Sequence, residues 1–142
     1  MIEDVTAQKI TSVQRCVARA REALAAAGSA FGTNHNLQDA AILNVIRACD
    51  TSIDLANMLI RRGRLGIPTE SRDSFAILVR EQIIAPELGD RLKKMVGFRN
   101  LAVHQYRELD MAIVAAVIRE NLDDVLSLAQ HVRSQMEATK SP

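Results

Sequence analysis

Apolar residues recur along most of this chain at intervals of three and four, the spacing that lines one face of an α-helix. Ile2, Val5, Val13, Val17, Ala20 and Leu24 form such a stripe, and Gly28 supplies its stop, which predicts a helix over 2–27. Residues 28–36, with two glycines, a serine, a threonine and two asparagines, read as a loop. From Leu37 to Arg62 there are two stripes: Ala41, Val45, Ala48, Leu55 and Leu59, and beside them Ile42, Ile46, Cys49, Ile53 and Ile60. A helix apolar over that width is covered on more than one side, so it belongs at the centre of a bundle or between the bundle and a partner subunit. Its remaining stripe carries Arg47, Asp50, Asp54, Asn57 and Arg61.

Gly63, Gly66 and Pro68 then break the chain. A short helix over 71–83 is anchored by Phe75, Leu78 and Val79, and Pro86 opens a fourth with Glu87 near its positive end. The last helix begins at Asp110, a good cap, with Leu109 and Val114 placed as a hydrophobic staple. Val114, Ile118, Leu122, Val125, Ala129, Val132 and Met136 continue it to near the C-terminus. The expectation is one all-α domain over 1–142, an antiparallel bundle of about five helices.

Composition narrows the function classes. Abundant Ala, Leu, Ile, Val and Met with only four aromatic residues favour helices over a β-sandwich. A net charge of +1 gives no general affinity for nucleic acid or membranes, so such binding needs a local patch. Cys16 and Cys49 stand far apart, and His35 and His131 have no partner at ligand spacing, so neither a disulfide framework nor a metal site is expected. Both cysteines read as reduced core residues, Phe31, Phe75 and Phe98 as core anchors, and the two histidines as surface groups. No apolar run approaches the ~20 residues of a membrane span and no signal core opens the chain, so a cytoplasmic protein without a membrane partner is expected.

The chemistry concentrates in one octet, Arg99-Asn100-Leu101-Ala102-Val103-His104-Gln105-Tyr106, which ends on the only tyrosine. Arginine offers a permanent planar donor fork for phosphate oxygens, and histidine suits proton transfer at neutral pH. Together they could cleave RNA without metal: His104 takes the 2′-hydroxyl proton as that oxygen attacks the adjacent phosphate, and Arg99 steadies the charge on the phosphoryl oxygens. The product would be a 2′,3′-cyclic phosphate. Between Arg91 and Arg107 lie Lys93, Lys94 and Arg99 and no acidic residue, a local cationic run suited to phosphate. On a straight helix, however, Arg99 and His104 are roughly 140° apart, while Arg99 and Tyr106 share a face, as do Asn100 and His104. Either the helix ends inside the octet or two copies meet and complete a cleft. The plain alternative is a solvated basic face with Tyr106 packed at the surface. Asp54 and Asn57 are candidates to orient His104 or bind a nucleotide, or they join Arg47, Asp50 and Arg61 in a solvated stripe; Arg61, Arg62 and Arg64 either extend an RNA path or serve as cations at a helix C-terminus.

The wording of the run Met95-Val96-Gly97-Phe98-Arg99-Asn100-Leu101-Ala102-Val103-His104-Gln105-Tyr106 resembles the signature of the HepT-like toxins of the HEPN superfamily. Arg47-Ala48-Cys49-Asp50, Ile53 through Asn57, Leu65-Gly66-Ile67-Pro68 and the 71–75 segment resemble the same family, so the likeness spans about 39–110. The resemblance implies a homodimeric, metal-independent endoribonuclease without a cofactor, the toxin of a type VII-like toxin–antitoxin pair. Its partner would be a nucleotidyltransferase antitoxin that attaches AMP to the motif tyrosine. Carried over, Arg99 and His104 become the catalytic pair, Asn100 and Asp54 supporting groups, and Tyr106 the AMPylation acceptor. Lys93, Lys94 and Arg107 would bind RNA phosphates. The competing function is a non-catalytic nucleotide- or phosphate-binding subunit of a nucleotidyltransferase, and a third is a plain scaffold dimer.

Overall fold

The computed structural model describes residues 2–138, and of Ile2 only the backbone. The helices are α1 (Ile2–Ala27), α2 (His35–Gly63), α3 (Ser71–Arg80), α4 (Pro86–His104), α5 (Met111–Ala116) and α6 (Leu122–Ala138), and no described residue is in a strand. The last two are halves of one rod joined by a π-helical turn, Val117–Asn121, so the five expected helices are present. α2 lies in the middle, packed on α1, α3, α4 and α6. Its two stripes explain this: Ala41, Ile42, Val45, Ala48, Cys49, Leu55, Leu59 and Ile60 are buried, with Ile46 and Ile53 packed at the margin.

Several boundaries differ from the sequence expectation. His35 is helical, because Asn34 accepts a hydrogen bond from the Leu37 backbone N–H and caps α2 two residues early. α2 also runs through Gly63 and stops at Arg64, which takes the left-handed conformation (φ 51°). α3 ends at Arg80, three residues short, where Gln82 turns left-handed. Val5 is largely exposed, and the expected core position of Ile2 lies outside the described side chains. The cap at α5 forms as read, Asp110 accepting from Ala112 N–H at 2.8 Å, and of the expected staple pair Val114 is buried and Leu109 packs at the margin of the core.

The π turn has a cause legible in hindsight. Val114, Ile118 and Leu122 are separated by two successive steps of four, which would rotate a regular helix about 80° away from the core. The wider π turn absorbs that drift and keeps all three buried. Arg21 of α1 supports it, donating from Nε to the Ile118 carbonyl at 3.2 Å and from Nη2 to Asp123 at 2.8 Å.

One close approach positions the octet. A Cβ on Gly89 of α4 would sit 2.3 Å from Cγ2 of Val79 on α3, so only glycine lets these two helices meet at this distance. α3 is further tied to α2 by Ser74, whose hydroxyl donates to Asn57 Oδ1 at 2.6 Å. Asn57, partly buried, therefore ties the two helices together.

Candidate functional site

α4 is helical through His104, then breaks: Gln105 leaves the helical region (φ −134°, ψ 46°) and Tyr106–Glu108 form a 3-10 turn. The octet therefore straddles a helix end, with Arg99, Asn100 and His104 inside it and Tyr106 beyond it. Arg99 and His104 stay on one continuous helix, about 140° apart, and no hydrogen bond joins them. The helix end alone does not bring the two together.

Arg99 faces α2. Its Nε donates to Asp50 Oδ1 at 2.7 Å and its Nη2 to Oδ2 at 3.4 Å, while Nη1 donates to Asn100 Oδ1 at 3.2 Å. The guanidinium is thus held on two sides, with 28 % of the side chain accessible. Tyr106 faces the same helix: its hydroxyl donates to Asp39 Oδ1. Partial burial, the hydrogen bond to Asp39 and the charge of that carboxylate together push the phenol up to about 12 from 10.0. Asp39 and Asp50 are eleven residues apart, which returns to within about 20° on a helix, so both lie on one stripe of α2, which Arg99 meets from α4 and Tyr106 from the turn beyond it. Two acids on one stripe of α2 thus meet two donors of the octet. Sequence reasoning missed both acids, although their spacing against the octet was the available signal.

His104 lies on the other side of α4, exposed and without a hydrogen bond among the described residues. It shares a stripe with Lys93, Gly97 and Asn100, at intervals of four, three and four. Over Gly97 lies the guanidinium of Arg72 from α3, whose Nη2 would be 3.0 Å from a Cβ there. Arg72 is exposed and has no salt bridge among the described residues. Lys93, Arg72 and His104 therefore succeed one another along one face, with a cation from α3 that the chain order gave no reason to place there.

The fold also brings acids to a run that has none in sequence. Arg91 pairs with Asp124 at 3.0 Å and Arg99 with Asp50, and Lys93 helps hold the Asp73 carboxyl below its ordinary range, after the hydrogen bonds from Thr69. Lys94 and Arg107 are exposed and form no salt bridge among the described residues.

Asp54 is not brought to the octet. Its carboxylate meets Lys9 of α1 at 3.3 Å and borders a cavity of about 410 Å³ with Val5, Asn57, Met58, Arg61 and Arg62, between α1 and α2. One helical turn separates it from Asp50, and α4 reaches only the latter. Arg62 is likewise structural, donating to Met136 Sδ at 2.8 Å. His131 is half-buried, with Nδ1 2.8 Å from the Ser127 carbonyl, so it is not a free surface group. Cys16 and Cys49 are buried free thiols, and burial is the main reason the Cys49 thiol is pushed up to about 12. Among the described residues no three His, Cys, Asp or Glu side chains cluster as a metal site requires. No described helix is long and apolar enough to cross a membrane.

Comparison with known proteins gives a consistent answer. The family model described as "Ribonuclease HepT-like" matches residues 13–132. The chain is 44% identical over 123 residues to a Shewanella oneidensis protein named "mRNA nuclease HepT", covering 87% of this chain and 92% of that one. In three dimensions it matches a structure described as the tri-AMPylated Shewanella oneidensis HEPN toxin in complex with MNT antitoxin. That match has a TM-score of 0.87 and 40% identity over 92% of this chain and 98% of the toxin. The Bacillus subtilis protein YutE shares the fold, with a TM-score of 0.72 at 20% identity. With the family pattern covering nearly all of the helical core as well as the octet, the chain belongs to the HepT-like ribonuclease family.

Proposed function

We propose that this protein is the toxin of a cytoplasmic toxin–antitoxin pair, a metal-independent endoribonuclease that acts as a homodimer. The observation that carries this reading is the division of α4 into two functional sides. His104 is unbonded and open to solvent beside Arg72 and Lys93, while Arg99 is held as an oriented fork roughly 140° away. One chain therefore offers a proton-transfer group and a phosphate-binding group that do not converge on one phosphate. Two copies related by a two-fold axis through this face supply both groups to a shared cleft.

In that cleft His104 takes the proton of a ribose 2′-hydroxyl as the oxygen attacks phosphorus, then returns it to the departing 5′-oxygen. Arg99 and the Asn100 amide steady the charge on the phosphoryl oxygens. Lys93, Arg72, Lys94 and Arg107 attract the RNA backbone. Tyr106 is the control point. The relative's description as an AMPylated toxin held by its antitoxin, together with the intact tyrosine in the octet, supports transfer of AMP to Tyr106 by a nucleotidyltransferase partner. Each AMP adds bulk and negative charge at the end of the octet, two residues from His104, opposing RNA entry.

His104→Ala tests the assignment. The side chain is exposed and unbonded, so stability should stay within about 0.5 kcal/mol. Cleavage of RNA by the purified, unmodified protein should be abolished, along with the 2′,3′-cyclic phosphate ends. Unchanged cleavage sinks the assignment, and phosphate binding without cleavage by the wild-type protein favours a non-catalytic subunit.

A further inference from the structure

Among the described residues, Asp39 is the acid that bonds the atom the proposed modification changes. It stands near the start of α2, and its Oδ1 accepts the hydrogen bond of the Tyr106 hydroxyl on the 3-10 turn beyond α4. Asp50, the other aspartate that bonds an octet side chain, is committed to Arg99, and the more distant Asp54 and Asp124 pair with Lys9 and Arg91. Asp39 has no salt bridge among the described residues, and Tyr106 is its hydrogen-bond partner. A base must lie within hydrogen-bond reach of the proton it takes, and this pair already meets that condition.

We infer that Asp39 is the general base for adenylylation of Tyr106, so that the toxin itself contributes a catalytic group to its own silencing. This rests on the reading of Tyr106 as the acceptor. The balance is complete with a nucleoside triphosphate and its divalent cation held by the nucleotidyltransferase. The Tyr106 oxygen forms a bond to the α-phosphorus, the bond from that phosphorus to the bridging oxygen of the β-phosphate breaks, and pyrophosphate leaves with the electron pair. The phenolic proton passes to Asp39 and from there to water.

The phenol needs such help. Pushed up to about 12, Tyr106 carries its proton at neutral pH, so the attacking group is the neutral hydroxyl. A carboxylate is too weak a base to remove that proton beforehand. As the oxygen–phosphorus bond forms, the phenolic oxygen becomes strongly acidic and the proton moves along the existing hydrogen bond. Protein kinases use an aspartate toward a substrate hydroxyl in the same way. After transfer, the ester oxygen has no proton to donate and a phosphate anion stands beside the Asp39 carboxylate. The contact that holds Tyr106 against α2 is then lost, which releases the adduct toward solvent.

The test is single-turnover adenylylation of the full chain by its cognate nucleotidyltransferase, saturating over the toxin, with ATP and Mg²⁺, followed by intact mass and peptide mapping. Asp39→Asn should lower the rate constant for AMP addition at Tyr106 by roughly 10²–10⁴-fold. Affinity for the nucleotidyltransferase should stay within about threefold, and helical content should be unchanged because Asp39 is exposed. A rate constant within threefold of wild type overturns the role of Asp39, as does a defect that disappears at saturating partner. If the wild-type chain gains no AMP, or Tyr106→Phe gains it equally, the acceptor assignment fails and the inference fails with it. That result is read without the Asp39 variant, so the two failures are distinct.

Discussion

Changing Asp50 to Asn removes the charge that orients the Arg99 fork while keeping the side-chain volume. The pair has one short bond, 2.7 Å from Nε, and one long one, 3.4 Å from Nη2, with 28 % of Arg99 and 44 % of Asp50 accessible to solvent. At 4 Å two unit charges attract by about 4 kcal/mol at an effective dielectric of 20, but water around a pair this open reduces the net contribution to about 1 kcal/mol or less. For a domain of this size that corresponds to a fall in Tm of about 2–4 °C. The catalytic consequence should be larger. An Asn amide turned to accept from Nε presents its NH2 group to Nη2, setting donor against donor, so the fork swings free of its aligned position. Loss of an entire transition-state donor costs about 10²–10³ in rate, and a loosened one should cost about tenfold, in kcat more than in KM. Melting curves and cleavage of a defined oligonucleotide by unmodified protein measure both. Cleavage equal to or faster than wild type refutes the positioning role and makes Asp50 a restraint on Arg99. A loss of several kcal/mol would show that the pair serves the fold.

Four further outcomes follow from the structure. Gly89→Ala gains up to about 1 kcal/mol of helix propensity but forces a Cβ to 2.3 Å from Val79 Cγ2, and the branched Val79 has few rotamers to yield with. Net destabilisation of about 1–3 kcal/mol is expected in urea unfolding, most of it recovered with Val79→Ala; wild-type stability would refute the close approach. Because Tyr106 is the only tyrosine and there is no tryptophan, the phenolate absorbance of the native protein titrates this residue alone, with a midpoint expected at about 12. Asp39→Asn should move that midpoint toward 10, the remainder of the shift reflecting desolvation, and an unmoved midpoint would contradict the hydrogen bond. The sign for stability is fixed by the same shift: the folded state keeps its proton longer, so this contribution is present below about pH 10 and lost as pH rises through about 12.

The helices and the octet were legible in the chain because their signals are local. Periodicity three and four apart marked the other helices and Pro86 with Glu87 marked the start of α4, the double stripe placed α2 at the centre, and Asp110 announced its own cap. Helix angles alone already set His104 apart from Arg99, whereas the break after His104 that carries Tyr106 to Asp39 was only one of two alternatives. Boundaries slipped where side chains or backbone twists decided them, at Asn34, Arg64 and Gln82. The partners of the octet were a different matter. Asp50 is 49 residues from Arg99 and Asp39 is 67 from Tyr106. Choosing Asp50 over Asp54, one turn away, depends on how α4 is set along α2. That setting comes from packing: Asn57 ties α2 to α3, and Gly89 lets α3 and α4 close. The same packing lays Arg72 over Gly97 beside the His104 stripe. Sequence thus determined which groups this protein has and which side of its helix each occupies. Tertiary structure decided which charges they meet, because a helix repeats every 3.6 residues regardless of its neighbours, whereas an ion pair needs two helices in register.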